Sequence, residues 1–124
     1  MGRALGQRTL RYIDPEIRDL VSDINRLPYV LCTLSCCAGI GKRYDGERGV
    51  QHHAYHHRPN FGMEWHGWVL IVFSKRPCWQ EHRKHFTDEI FNSDLYATRA
   101  TDLRRKWKRV HEKVRQELRK FGRL

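Results

Sequence analysis

Seven consecutive residues, Trp68 to Ser74, read Trp-Val-Leu-Ile-Val-Phe-Ser. Six of them are apolar and nothing in the run alternates polar with apolar. A run of this length is a strand, and it predicts a central strand buried on both faces of a sheet. Elements to cover that strand must come from the rest of the chain.

With 124 residues the chain is one domain, 1–124, large enough to bury a core without covalent staples. Asp14-Pro15-Glu16 predicts a helix start: Asp14 suits the cap, Pro15 the first helical position and Glu16 the dipole. Ile17, Leu20, Val21, Ile24 and Leu27 then share one helical face, and Pro28 ends it. Tyr29–Ser35 reads as a strand, with Cys32, Leu34 and Cys36 on one face and Leu31, Thr33 and Ser35 on the other. Neither side is plainly polar, so this strand too is expected to be covered on both faces. Pro77 opens a second helix, with Trp79, Arg83, Phe86 and Ile90 at helical spacing and an end near Asn92-Ser93. A long helix is predicted over about 98–121, where Leu103, Trp107, Val110, Val114, Leu118 and Phe121 form a stripe at near-heptad spacing. Between the two strands lies a Gly/His-rich loop, 39–67, in which Asp45-Gly46 is a turn signal for a hairpin. The expected class is α+β, or mixed α/β: one small sheet around strand 68–74 and about three helices, the last long and basic.

Charge is concentrated at one end. The chain has 24 Lys/Arg and 14 Asp/Glu; residues 99–124 hold 11 and 3 of these, leaving 13 and 11 for the remainder. The body is nearly neutral and the last helix carries the net charge. Such a stripe points to a polyanion, with nucleic acid favoured. The phosphate contacts expected on this helix are Arg104, Arg105, Lys108, Arg109, Lys113, Arg115, Arg119 and Lys120. The same apolar stripe also suits a coiled coil, so a homodimer through the C-terminal helix is a second expectation.

The chain has no apolar run near the ~20 residues of a membrane span, so no membrane partner is expected. The basic N-terminus lacks the apolar core of a secretory signal. Cys32, Cys36, Cys37 and Cys78 are poorly spaced for a disulfide framework, which points to reduced thiols and a cytoplasmic location.

Two segments have residue types that carry chemistry. Ser35-Cys36-Cys37-Ala38-Gly39 ends a strand, where small α/β proteins place ligands. Ser35, Cys36 and Cys37 are the candidate catalytic residues, and Gly39 would let a substrate approach the backbone. Lys42, Arg43 and the histidines would lower a thiol pKa. Cys32 is read as core. The loop contributes His52, His53, Tyr55, His56 and His57 as ligand-holding residues. His52/His56 and His53/His57 are i,i+4 pairs; on a helical turn, His52 and His56 with His66 would make a zinc site. Of the aromatic residues near the loop, Tyr44, Tyr55, Phe61, Trp65 and Trp68, the best candidates to stack on bases are Tyr55 and Trp65, whereas Trp68 is read as core.

Leu27-Pro28-Tyr29, Thr33-Leu34-Ser35-Cys36-Cys37-Ala38-Gly39 and Gly67-Trp68-Val69-Leu70-Ile71-Val72-Phe73-Ser74 together resemble the wybutosine-pathway tRNA methyltransferase family. That family has a TTSSCSGR stretch after a helix, a Gly/Lys-rich insertion, and a strand beginning with Trp. The resemblance spans about residues 14–75, with Cys37 where the family has Ser, Ile40 near its Arg, and Lys75 where its His follows. It implies an α/β fold and S-adenosylmethionine-dependent methylation of a tRNA base. Three functions are therefore expected from the sequence. The first is a small basic RNA-directed protein, either tRNA-modifying and methyltransferase-like or a degenerate relative; the alternatives are a non-enzymatic regulator of a protein or ribonucleoprotein partner, and a zinc-dependent enzyme using the His cluster.

Overall fold

The structure, a computed structural model, describes the backbone of residues 13–40, 42–45, 49–52, 56–58 and 62–124, and the side chains of 13–40 and 65–124. A 3-10 turn, Pro15–Ile17, leads into helix α1, Arg18–Ile24. Strands β1 (Val30–Cys37), β2 (Lys42–Asp45), β3 (Gly49–His52), β4 (His56–Arg58) and β5 (Gly62–Phe73) follow. A 3-10 turn, Pro77–Trp79, then opens α2, Gln80–His85, which runs on as a π turn over Phe86–Ile90. Strand β6, Asp94–Ala97, precedes the long α3, Ala100–Lys120. The fold is α+β, as the sequence pattern predicts.

β5 is the centre of an antiparallel sheet. β1 pairs along one edge, from Val30↔Phe73 to Cys37↔Trp68, and β6 along the other, from Trp65↔Ala97 to Trp68↔Asp94. β4 pairs with the start of β5, His56↔Glu64 to Arg58↔Gly62. β2 and β3 pair antiparallel, from Lys42↔His52 to Asp45↔Gly49; Gly46 of the turn signal lies outside the described residues. Two features differ from the sequence expectation. β5 starts at Gly62, six residues before the apolar run, and β6 is an additional strand of only four residues. So short a strand carries no period of its own; its pairing with β5 defines it.

The core lies on one face of the sheet. Ile17, Leu20, Val21 and Ile24 of α1, Leu27, Tyr29, Val30 and Val69, Phe86, and Leu103, Trp107, Val110, Val114 and Leu118 of α3 form one buried cluster. The predicted apolar faces of all three helices are therefore turned inward. The other face of the sheet corrects the expectation of cover on both sides: Leu31, Leu34 and Leu70 are 50%, 67% and 49% exposed. β1 explains part of this. Its register slips twice against β5, between Val30 and Cys32 and between Thr33 and Ser35, so Leu31 and Leu34 are the extra residues of two bulges. The bulges also break the alternation expected for Cys32, Leu34 and Cys36. Thr33 is turned inward, where its hydroxyl accepts a hydrogen bond from the buried Asn25 side chain at 3.1 Å.

Three polar contacts tie the helices together. The Tyr29 hydroxyl donates to Glu117 Oε2 at 2.8 Å, joining the start of β1 to the end of α3. His111 Nε2 lies 2.6 Å from Asp23 Oδ2, joining α3 to α1. Arg104 Nε donates to Glu16 Oε1 at 3.1 Å beside the same groove. Burial, together with the hydrogen bond to Glu117 and its negative charge, raises the Tyr29 pKa well above that of a free phenol, so the hydroxyl remains a donor. Removing that donor leaves a carboxylate that is 3% exposed short of one partner. Tyr29→Phe is expected to lose about 1–3 kcal/mol of stability, and adding Glu117→Gln should restore part of the loss; a double-mutant cycle by urea unfolding measures both.

Candidate nucleic-acid interface

Helix α3 is built from strong helix formers, chiefly Arg, Lys, Leu, Glu and Gln. Arg99 is extended ahead of it, and Asp102 in the first turn and Arg119 and Lys120 in the last complement the helix dipole. It ends in a Schellman turn. Gly122, at φ +66°, donates to the Arg119 carbonyl at 3.0 Å, and Arg123 donates to that of Leu118 at 2.9 Å.

The burial of α3 decides which of its residues are available. Leu103, Trp107, Val110, Val114 and Leu118 are between 0% and 6% exposed and are packed in the core. The apolar stripe is thus used within the chain, which corrects the expectation of a homodimer zipped through it. Nine cations remain on the exposed surface: Arg104, Arg105, Lys106, Lys108, Arg109, Lys113, Arg115, Arg119 and Lys120. Of the helix's three acids, Glu117 is buried against Tyr29, and Asp102 pairs with Arg105 at 3.6 Å. Only Glu112 is left as an unpaired exposed acid. Lys108, Arg109, Arg115 and Arg119 make no ion pair or side-chain hydrogen bond among the described residues. Cations four apart on such a helix are ~6 Å apart along its axis, so the face offers a repeated charge to a repeated anion. All eight cations named from the sequence lie on this face; Lys106 is a ninth, missed because its place beside β6 depends on that strand.

The turn after β1 is arranged differently from the sequence expectation. Cys37, Ala38, Gly39 and Ile40 are all buried. The Ala38 amide donates to Asp14 Oδ2 at 2.8 Å, and the Ala38 carbonyl accepts from Trp107 Nε1 at 2.8 Å. Gly39 has φ +73°, and a Cβ there would fall on the backbone carbonyl of His66. The group that approaches Gly39 is therefore strand β5, which corrects its reading as a place for substrate. Ser35 is exposed and accepts from Trp68 Nε1 at 3.1 Å, and Cys36 is half-buried against the core. Ser35 and Cys36 thus do not share an open pocket with Cys37 and Gly39. These residues do not make a cradle for S-adenosylmethionine, because the β5 backbone fills the space beside Gly39 that a ligand would need. All four cysteines are free thiols.

The histidines also differ. His52 ends β3 and His56 begins β4, so they are not an i,i+4 pair on a helical turn. His66 Nε2 lies 2.7 Å from Asp94 Oδ1, and its ring stacks on Tyr96 at 4.2 Å between centroids. Among the described residues no cluster of three His, Cys, Asp or Glu side chains is placed to hold a metal. Lys42, Arg43, His52, His56 and His57 are described by backbone alone, and His53, Tyr55 and Phe61 lie outside the described residues. The two tryptophans exchange roles. Trp65 packs against the core, whereas Trp68 is half-exposed on the outer face, 5.2 Å from the His66 ring. Alternation along β5 accounts for this: Trp65, Gly67 and Val69 share the inner face, His66, Trp68 and Leu70 the outer.

No family model, curated protein or solved structure matches this chain. Among the described residues no helix is long and apolar enough to cross a membrane.

Gly67 is closely packed as well: an added Cβ there would lie 2.5 Å from the Trp107 ring and 2.6 Å from the Ala38 carbonyl. Gly67→Ala is expected to cost about 1–3 kcal/mol through overpacking, read as a lowered midpoint in thermal unfolding. Gly122→Ala, with open space around it, should cost less than Gly67→Ala.

Proposed function

We propose that the chain is a nucleic-acid-binding protein directed at RNA, and that it holds phosphates on the solvent face of α3. One observation carries this reading: docking of the apolar seam leaves nine exposed cations against two exposed or half-exposed acids on one rigid helix. A helix that needed charge only for solubility would mix the two signs. Here the fold withdraws one of the three acids into the core and so raises the net positive charge of the surface. Phosphate oxygens are the fitting partners, since Arg donates to them through a planar fork and Lys acts as a compact charge. RNA is favoured over DNA by the resemblance of residues 14–75 to tRNA-modifying proteins. We read the role as binding rather than methyl transfer, because the turn that carries the resemblance is packed into the interior.

The unpaired cations supply the test, because changing them disturbs no internal contact. Lys108, Arg109, Arg115 and Arg119 replaced together by Glu should leave the circular dichroism spectrum unchanged. RNA affinity should fall by more than a hundredfold in fluorescence anisotropy. For the unaltered protein, affinity should drop steeply between about 50 and 200 mM salt, as released counterions require. Binding that ignores salt, or that survives the fourfold reversal, would refute the proposal.

A further inference from the structure

The crest of α3 separates two clefts, and both are lined by cations. On the α1 side Arg104 and Lys108, with Glu16 paired to Arg104 and His111 paired to Asp23, line a cleft of about 330 Å³ floored by Leu20 and Trp107. On the β6 side Lys106 and Arg109, with Asp102 paired to Arg105, line a second cleft of about 450 Å³ beside Tyr96 and Thr98. Arg105 lines both and so marks the crest. Contacts at the helix base confirm the two directions. Arg104 reaches Glu16 on one side; Lys106 reaches the Tyr96 carbonyl at 2.5 Å and Lys113 the Glu89 carbonyl at 3.0 Å on the other.

From this arrangement we infer that α3 recognises the double-stranded form of its RNA, seating the ridge between the two backbones with one cationic flank on each. The inference rests on the nucleic-acid reading above and names the form of polymer that this surface fits. A helix with its side chains is about 10–12 Å across. Clefts on both sides of such a ridge suit two phosphate rows on either side of a groove, whereas a single strand has one row and can occupy one cleft.

Ring chemistry points the same way. Proteins that hold single strands stack bases on aromatic side chains beside their cations. Trp107, the one aromatic residue within α3, is 3% exposed and donates to Ala38. Of the rings packed beside the helix, Phe91, at 5.6 Å from Trp107, and Tyr29 are buried, and Tyr96 stacks on His66 at the outer sheet face. The described side chains on that outer face, His66, Trp68, Leu70, Val72, Asp94 and Tyr96, include no Lys or Arg and one carboxylate, so they do not attract a polyanion. Duplex RNA, by contrast, is recognised largely through its shape and its backbone, which asks for charge on a shaped ridge and no stacking platform.

The test uses the full chain and two alanine pairs, Lys108→Ala with Arg115→Ala on the α1 flank, and Arg109→Ala with Lys113→Ala on the β6 flank. Alanine keeps the helix, and circular dichroism checks it. Anisotropy is measured on an RNA duplex, on one of its strands alone, and on a DNA duplex of the same sequence, across a salt series. The RNA duplex should bind at least tenfold more tightly than its single strand. Each alanine pair should reduce the slope of log affinity against log salt by about two, and both pairs together by about four, because each residue gives up about one phosphate. Equal binding of single and double strands, or a slope that responds to one flank alone, would overturn the two-flank docking while leaving RNA binding in place. A preference for the DNA duplex would keep the docking and overturn RNA as the polymer. No binding to any of the three would remove the nucleic-acid reading itself.

Discussion

The contact between Trp107 and the backbone of two strands organises the rest of the molecule. The indole lies against Gly67 at the centre of β5 and donates to the Ala38 carbonyl just beyond β1. This contact joins the long helix, the central strand and the tight turn at one point. A side chain at position 67 would displace the ring, and one at position 39 would displace β5 itself. The buried Asp14 carboxylate completes the junction by accepting from the Ala38 amide, which ties in the segment that starts the first helical turn. A buried backbone amide without a partner costs about 1–3 kcal/mol, so the aspartate that opens the 3-10 turn also satisfies the strand turn across the core.

That junction explains why the turn Ser35–Gly39 looked functional in the sequence and is structural in the fold. Glycine, a small residue and thiols after a strand are what a ligand loop requires, and also what close crossing of protein segments requires. The composition is the same because the physical demand, little volume near a backbone, is the same. What distinguishes the two is the group that occupies the space, and Trp107 lies 69 positions away from Ala38 in the chain. No local pattern reports a contact of that range.

Helices were more legible than the sheet for a related reason. The faces Ile17–Leu27 and Leu103–Leu118 repeat over several turns, so an error at one position does not change the reading. β5 was recognised from its apolar run, but the run overstated its burial. Leu70 is 49% exposed and Trp68 half-exposed, and an unbroken apolar run does not reveal this. In β1 two extra residues shift the register twice, and every side chain beyond a slip changes face. β6 holds four residues and owes its existence to pairing with Trp65–Trp68. The charge of α3 was legible at once, yet its strength as a surface was not. Glu117 reads as a solvent acid by composition, and only the Tyr29 hydroxyl reveals that it belongs to the interior.

The same helix carries a cost that its position offsets. Arg104–Lys108, Arg105–Arg109, Arg109–Lys113 and Arg115–Arg119 are like-charged i,i+4 pairs, each opposing the helix by about 0.2–0.5 kcal/mol. Their sum, on the order of 1–2 kcal/mol, would weigh on an isolated helix, which lacks the tertiary packing that supplies most helical stability in proteins. Burial of Leu103, Trp107, Val110, Val114 and Leu118 contributes on the order of 1.5–3 kcal/mol for each side chain. Docking therefore exceeds the repulsion several-fold, and the core holds this charge density in place. The residual repulsion has a direction. Any polyanion that neutralises the face removes it, so binding and stability are linked: a ligand that binds only the folded chain raises its stability with concentration. The unpaired state of Lys108, Arg109, Arg115 and Arg119 among the described residues is what makes this face the part of the surface on which such a linkage would act.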